Sequence, residues 1–214
     1  MFIKAEWAGF GTISNLPLTA KPEIRNRALQ ERAALPGQLR AIQSAAIARH
    51  LASLPMFQTA STVASYQSWA SEPDTASINR GLSQRGAKVL VPIGGLEPGW
   101  RVVNGANQWI TPESLRDAEL IIVPALRVDY RGTRLGRGAG WYDRMLPHRA
   151  PYATLVALLF DGEYLTDQLL PRETHDVPMD YVVTPSGIHK VGPLNPLQPL
   201  TLCQPLLSRN RATL

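Results

Sequence analysis

One short stretch of the sequence concentrates residue types that bind phosphate. Residues 131–144 read RGTRLGRGAGWYDR, with glycine at alternate positions from 136 to 140 and four arginines. Glycine lets the backbone approach a ligand closely and adopt positive φ, and successive amides in such a loop can point toward an anion. Arginine supplies forked N–H donors that match phosphate oxygens. We therefore interpret this stretch as a phosphate-binding loop.

The segments on either side of the loop support this interpretation. The apolar run 120–124 predicts a buried strand, and residues 141–146 predict the first turns of a helix, whose N-terminus would add partial positive charge. The loop is not of the Walker type, because no Gly-Lys-Ser/Thr follows it, and Trp141 occupies the last glycine position of the dinucleotide fingerprint. The alternative is a glycine-rich surface turn with solvated arginines.

Two basic residues earlier in the chain form a second candidate. Lys21 and Arg25 are one helical turn apart, so both side chains lie on one face of the predicted helix. Like charges at this spacing repel each other unless they share an anion. A solvated basic helix face is the commoner explanation of such a pair.

Three carboxylates complete the set of candidate residues. Asp143 ends the glycine loop, Asp176 lies in the segment HDVPMD, and Glu72 follows a predicted strand. Magnesium on a nucleotide usually takes one or two carboxylates, while water and phosphate fill its remaining positions. Taken alone, Asp143 is equally a carboxylate at a helix start, Asp176 a turn residue, and Glu72 part of the turn before the next helix.

The apolar pattern predicts the elements that carry these residues. Helices are expected from residue 19 or 20, from near Pro36 and over 74–85, and strands over 62–66, 87–92, 100–103, 120–124, 152–160 and 181–183. Strands alternating with helices predict a single α/β domain with a mainly parallel sheet and helices on both faces. One buried face of the second helix is expected to contain Leu39, Ile42, Ala46, Ile47, Leu51 and Leu54. We place the domain at residues 19–189, between an N-terminal extension, 1–18, and a proline-rich tail, 190–214.

The composition excludes several classes of protein. With 214 residues, 44% of them hydrophobic, the chain can bury a full core, and no apolar run is long enough to span a membrane. The single cysteine, Cys203, excludes an internal disulfide and a cysteine-based zinc cluster. The N-terminus lacks the long apolar segment of a signal peptide, so we expect a cytoplasmic protein. A net charge of +5 fits an anionic small substrate as well as a nucleic acid.

The sequence RLGRGAGWYDR resembles the RLGRGGGYYDR signature of the 5-formyltetrahydrofolate cyclo-ligase family, also called methenyltetrahydrofolate synthetases. The resemblance runs from about Lys21 to Gly187. Two departures are mild: Trp141 replaces a tyrosine and keeps an aromatic face, and Ala139 replaces a glycine or lysine and stays small. The family's Ile-x-Glu-Pro motif is altered, because this chain reads WITPE over residues 109–113 and its glutamate is displaced.

The resemblance implies an ATP- and magnesium-dependent conversion of 5-formyltetrahydrofolate to 5,10-methenyltetrahydrofolate, with release of ADP and phosphate. It implies folate contacts from Tyr66, Gln67, Glu72 and Trp141, and magnesium ligation by Asp143 and Asp176. It implies that ATP contacts Lys21, Arg25, Arg134, Leu135, Gly136, Arg137, Gly138, Ala139, Gly140, Trp141 and Tyr142. We assign catalytic roles to Arg137 and Tyr142. Because Glu72 is far in sequence from the glycine loop, we expect ATP binding not to depend on it.

Two other functions stay open at this point. A diverged relative would use the same loop on another compound, without necessarily turning over ATP. A basic nucleic-acid-binding protein would need a contiguous basic face, and its affinity would fall steeply with salt. We expect a monomer or weak dimer that has neither nucleic-acid nor membrane partners.

Overall fold

The computed structural model describes residues 21–93, 98–105 and 108–192 of the chain. Its helices are α1 (Lys21–Ala34), α2 (Gly37–Ala52), α3 (Pro55–Thr59), α4 (Ala76–Gln84) and α5 (Trp141–Met145), with 3₁₀ turns at Pro112–Asp117 and Leu146–His148. Its strands are β1 (Thr62–Ala64), β2 (Lys88–Ile93), β3 (Gly99–Val102), β4 (Leu120–Pro124), β5 (Arg127–Asp129), β6 (Arg134–Leu135), β7 (Thr154–Leu158), β8 (Tyr164–Leu165), β9 (Tyr181–Thr184) and β10 (Gly187–Lys190). The predicted extension 1–18 and most of the predicted tail 190–214 lie outside the described residues.

The main sheet is parallel at its centre and antiparallel at its edges. Its strand order is β10-β9-β7-β4-β1-β2-β3, and a small second sheet has the order β6-β5-β8. Strands β9, β7, β4, β1 and β2 run parallel, whereas β10 and β3 are antiparallel to their neighbours. From β1 the chain continues to β2 on one side, and later elements return to the other side at β4. In open α/β sheets ligands bind at the carboxyl ends of strands where the order reverses in this way.

The central strands bury residues on both faces. Along β4, Leu120 and Ile122 pack with residues of α2, α3 and α4, while Ile121 and Val123 pack with residues of α5 and the 3₁₀ turns. All four side chains are inaccessible to solvent. The continuous apolar run of this strand is therefore explained by coverage on both faces. The expected α/β fold with a mainly parallel sheet and helices on both faces is confirmed.

Two local predictions are wrong. Ile42 does not lie on the buried face of α2; it is 61% exposed, and Ser44 lies inside instead, where its hydroxyl accepts a hydrogen bond from the amide of Asp74. Helix α4 begins at Ala76 rather than at residue 74, because Asp74 Oδ1 accepts the Ala76 N–H from outside the helix. No helix in the described ranges is long and apolar enough to cross a membrane.

Candidate active site

A buried carboxylate fixes the start of the glycine loop. Asp129, at the end of β5, accepts hydrogen bonds from the backbone amides of Arg131, Thr133 and Leu170. At the turn itself Gly132 adopts φ 81°, and a Cβ there would lie 2.5 Å from the carbonyl oxygen of Met179. Only glycine fits this close approach, which joins the β5–β6 hairpin to the segment before β9.

Two more glycines of the loop adopt a left-handed backbone conformation. Gly138 has φ 95° and Gly140 has φ 67°. A Cβ on Gly138 would be 3.4 Å from the guanidinium of Arg25, whose Nε donates to the carbonyl of Gly136 at 3.0 Å. The loop is thus packed against α1 rather than projecting as a free surface turn. Helix α5 has only five residues, so it adds less partial charge than the sequence suggested.

A cavity of about 210 Å³ lies between this loop and the carboxyl end of β4. It is lined by Arg32, Glu72, Pro124, Ala125, Leu126, Arg134, Arg137, Gly138, Ala139, Gly140, Trp141, Tyr142 and Asp143. It therefore brings the loop together with Glu72, which follows β1. The location matches the reversal point of the strand order.

Arg134 and Tyr142 form the inner wall of the cavity. Arg134 Nη2 donates to Asp143 Oδ1 at 2.6 Å, and its guanidinium lies 5.7 Å from the ring centroid of Tyr142. Burial lowers the pKa of Arg134, while the charges of Asp143 and Asp176 act in the opposite direction. Of the two carboxylates, Asp143 is in direct contact with Arg134, whereas Asp176 is in direct contact with Lys21. Within the described residues neither Arg134 Nε nor Tyr142 Oη has a hydrogen-bond partner, although both are buried. Buried polar atoms without partners are uncommon, and here they mark a place for a ligand or water.

Tyr142 is held in its protonated form, which can donate a hydrogen bond. Burial raises the pKa of Tyr142 far above its usual value of 10.0; Arg134 opposes this shift and Glu72 adds to it. The phenol therefore stays protonated at neutral pH. Trp141 beside it is fixed by edge-to-face contacts with Trp100 at 4.9 Å and with Tyr142 at 4.7 Å.

Lys21 meets the other candidate carboxylate. Lys21 Nζ lies 2.9 Å from both Asp176 Oδ2 and Glu173 Oε1. Partial burial lowers the pKa of Lys21, but the hydrogen bonds and charges of Asp176 and Glu173 outweigh it and the pKa is raised. Burial raises the pKa of Asp176, but the hydrogen bond from the Glu173 amide and the contact with Lys21 outweigh this effect and bring the pKa below its usual value. The start of α1 and the segment before β9 are thus joined at the edge of the site.

Glu72 is in direct contact with the glycine loop. Its Oε1 lies 3.3 Å from Arg137 Nε, and its Oε2 accepts the backbone N–H of Trp69 at 3.0 Å. Glu72 and Arg137 are 65 residues apart in the sequence but in contact in the structure, so the expectation that ATP binding does not depend on Glu72 stays a prediction to be tested.

The remaining predicted residues lie less centrally. Tyr66 is buried and its hydroxyl donates to the carbonyl of Pro73 at 3.4 Å; burial together with the Glu72 charge raises the pKa of its phenol well above 10.0. Gln67 is exposed, accepts a hydrogen bond from Arg101 at 2.6 Å and lines a different cavity, beside Asn79 and Asn104. Leu135 is buried in the core, with 1% of its surface exposed, and does not line the first cavity.

A family model for 5-formyltetrahydrofolate cyclo-ligases matches residues 17–185. The chain belongs to the 5-formyltetrahydrofolate cyclo-ligase family. The protein of that name from Mycolicibacterium smegmatis is 35% identical over 186 residues, which cover 78% of this chain and 94% of the relative. The Escherichia coli K12 protein of the same name is 29% identical over 178 residues, which cover 74% of this chain and 97% of the relative.

Two solved structures have the same fold. The 5,10-methenyltetrahydrofolate synthetase of Aquifex aeolicus superposes with a TM-score of 0.68 at 24% identity, covering 86% of this chain and 99% of that one. The Mycoplasma pneumoniae 5,10-methenyltetrahydrofolate synthetase gives 0.65 at 18% identity, covering 77% and 98%. The resemblance inferred from the glycine loop is confirmed.

One arginine of the cavity lining, Arg32, was not predicted as a site residue from the sequence of this cyclo-ligase family member. Arg32 of α1 is 2% exposed and lines the cavity. It donates from Nε to Glu163 Oε1 at 2.8 Å, and from Nη2 to Glu163 Oε2 and the carbonyl of Ala125. Arg127 bridges Glu163 and Glu31. Along α1, Arg32 lies seven residues after Arg25, so helical spacing alone would have placed it on the same face.

No residue of the altered family motif lines the cavity. Ile110 pairs with Trp100 as an isolated bridge, and Pro112 starts a 3₁₀ turn. The displaced Glu113 is exposed and lies 3.9 Å from His148. Across the described ranges, no three His, Cys, Asp or Glu side chains cluster closely enough to hold a metal ion by themselves.

Proposed function

We propose that the protein is an ATP-dependent 5-formyltetrahydrofolate cyclo-ligase that produces 5,10-methenyltetrahydrofolate, ADP and phosphate. The observation that carries this proposal is the cavity in which the family's glycine loop meets Glu72. One wall is rich in phosphate-binding groups, and the other carries a carboxylate able to accept N–H groups from a heterocycle. The names of the relatives support the same reaction.

The reaction needs ATP because the formyl oxygen is a poor leaving group. Ring closure requires N10 to attack the formyl carbon and expel that oxygen. When the oxygen first takes the γ-phosphoryl group, ADP is released and an iminium phosphate forms. N10 then attacks, the C–O bond breaks, phosphate leaves with the bonding electrons, and N10 loses its proton. Such phosphoryl transfer depends mainly on positioning and charge neutralisation.

Five side chains are assigned to the phosphates and the transferred group. Lys21 and Arg25 supply charge from α1, while Arg134 and Arg137 supply it from the loop. Tyr142 is protonated and directs its O–H from the inner wall, where no described residue accepts it. Backbone amides over 135–141 complete the phosphate site, so Leu135 contributes through its main chain.

Asp143 and Asp176 would hold Mg²⁺. Their oxygens are the hard donors that Mg²⁺ prefers, and two carboxylates suffice when nucleotide phosphates and water fill the other positions. Asp143 pairs with Arg134 and Asp176 pairs with Lys21, and the charges of both carboxylates act to raise the pKa of Arg134. Phosphate groups could replace the carboxylates as partners of these two cations. The bound ion would neutralise charge on the triphosphate.

The folate is assigned to the opposite wall. Glu72 and Trp141 line the cavity, Tyr66 donates a hydrogen bond to Pro73, next to Glu72 in the chain, and Gln67 would meet the part of the folate that extends toward the second cavity. The anionic substrates account for the positive net charge. We further propose a cytoplasmic monomer or weak dimer without nucleic-acid or membrane partners.

Absorbance of 5,10-methenyltetrahydrofolate tests the proposal directly. Purified protein with 5-formyltetrahydrofolate, ATP and Mg²⁺ should form product, and one phosphate should appear for each folate converted. A reaction without ATP and an Arg137→Ala variant serve as controls. If ATP binds but the folate is not converted, the chain is a diverged relative acting on another compound.

A further inference from the structure

An exposed tryptophan stacks on the loop arginine at the mouth of the cavity. The guanidinium of Arg137 lies 4.8 Å from the ring centroid of Trp69. The same guanidinium places its Nε 3.3 Å from Glu72 Oε1. Arg137 is therefore held on its face by an aromatic ring and on one edge by a carboxylate.

Two reciprocal hydrogen bonds close the turn that carries Trp69 and Glu72. The Trp69 amide donates to the Glu72 carboxylate, and the Glu72 amide donates to the Trp69 carbonyl at 3.2 Å. Between them Ala70 adopts φ 54°, a left-handed conformation that is costly for a residue with a Cβ. The Glu72 side chain is only 9% exposed. The turn thus holds both groups in fixed relation to each other.

Packing in the hydrophobic core does not explain why a tryptophan occupies position 69. Trp69 is 68% exposed, so its packing contributes little to the core. A guanidinium over an indole face is instead attracted by the ring quadrupole. The contact with the exposed indole of Trp69 therefore orients the guanidinium of Arg137.

The contacts leave the outer edge of the arginine available. Within the described residues the guanidinium is in contact with Glu72 through Nε as an ion pair and forms no hydrogen bond, so both terminal Nη groups can donate to a ligand. Arg137 also lines the cavity beside Gly138 and Tyr142. An arginine already fixed in this way loses less side-chain freedom when an oxyanion binds.

We propose that Trp69 is a positioning residue, which acts through Arg137 to pre-orient that guanidinium for the phosphate groups of ATP. The inference rests on the proposed role of Arg137 in nucleotide binding. It adds that the turn over residues 69–72 couples the nucleotide wall of the cavity to the wall assigned to folate.

Calorimetric titration of ATP with Mg²⁺, in the absence of folate, measures this role. Trp69→Leu should weaken ATP binding about two- to five-fold, equivalent to about 0.5–1 kcal/mol, because the aromatic face is lost. Trp69→Phe keeps a ring and should bind like the parent protein. The melting temperature should be unchanged in both variants. Tyr152→Leu, a change at an aromatic residue of similar exposure outside the cavity, should leave ATP affinity as it was.

A double-mutant cycle decides whether the effect passes through the arginine. In an Arg137→Ala background, Trp69→Leu should cause no further loss of ATP affinity. An equal loss in both backgrounds, or tighter binding by Trp69→Leu, would overturn the positioning role. If Arg137→Ala weakens binding and Trp69→Leu does not, only this inference fails. If Arg137→Ala has no effect, the assignment of Arg137 in the proposed function fails with it.

Discussion

Lys21 Nζ donates a hydrogen bond to Asp176 Oδ2 at 2.9 Å, across 155 residues of sequence. The contact joins the start of α1 to the segment that leads into β9. It pairs a residue proposed to bind the nucleotide with one proposed to bind magnesium. In the protein without ligands, each therefore neutralises the other's charge.

The first prediction concerns the pH dependence of this pair. The folded pKa of Asp176 is below 3.8, so its contribution to stability is complete above that value and is lost as pH falls through the folded pKa. The folded pKa of Lys21 is above 10.5, so its contribution is complete below that value and is lost as pH rises through the folded pKa. Asp176→Asn should lower the free energy of unfolding throughout about pH 5 to 9. In urea titrations the difference from the parent should shrink in stronger acid. A difference that grows in acid would contradict this linkage.

The second prediction concerns magnesium. Asp143→Asn and Asp176→Asn keep the side-chain shape and remove a charge. Each should raise the Mg²⁺ concentration needed for half-maximal activity, by at least the roughly ten- to hundred-fold seen for loss of an outer-sphere partner. Asp117→Asn, at an exposed carboxylate outside the cavity, is the matched control. Overlapping magnesium titrations for all three variants and the parent would remove both aspartates from the metal site.

The third prediction revises the role of Glu72. Loss of a charged hydrogen-bond acceptor should cost roughly 1.5–3 kcal/mol, or about ten- to a hundred-fold in folate turnover. Because Glu72 contacts Arg137 directly, Glu72→Gln should also weaken ATP binding, contrary to the expectation from sequence separation. The two effects are measured separately by folate turnover and by calorimetry with ATP alone. Unchanged ATP affinity in a folded Glu72→Gln protein would show that the ion pair plays no part in nucleotide binding.

The fourth prediction compares two glycines with the same backbone conformation. Gly132 and Gly162 both have φ 81°. A Cβ at Gly132 would meet the Met179 carbonyl at 2.5 Å, whereas in the described part of the chain a Cβ at Gly162 would have no heavy atom within 4 Å beyond its own two chain neighbours. Gly162→Ala should therefore cost only the backbone strain of about 1–3 kcal/mol. Gly132→Ala should lower the free energy of unfolding, measured by chemical denaturation, distinctly more than Gly162→Ala does, because the β5–β6 hairpin must also move. Equal losses of stability in the two variants would mean that the fold does not need the close approach of Gly132 to the Met179 carbonyl.

Much of the fold follows from the sequence alone. The alternation of strands with helices, and the continuous apolar run of β4, predicted a parallel sheet covered on both faces because such a strand has no polar face to expose to solvent. The glycine loop was recognisable because residue types, not distant contacts, create its phosphate-binding chemistry. Residue spacing also placed Lys21 and Arg25 together on α1. The exposed Ile42 shows the limit of this reasoning, since hydrophobic character alone does not decide which side of a helix meets the sheet.

Only the tertiary structure decided which of these residues meet. The pairs Lys21–Asp176, Glu72–Arg137 and Arg32–Glu163 join segments between 65 and 155 residues apart. These pairs depend on the spatial order of the parallel strands in the sheet, because that order brings the carboxyl ends of β1 and β4 to one crevice. A charged residue in a sequence looks the same whether it is solvated or buried. Arg32 was therefore identified only once Glu163 was seen to compensate its charge in the interior.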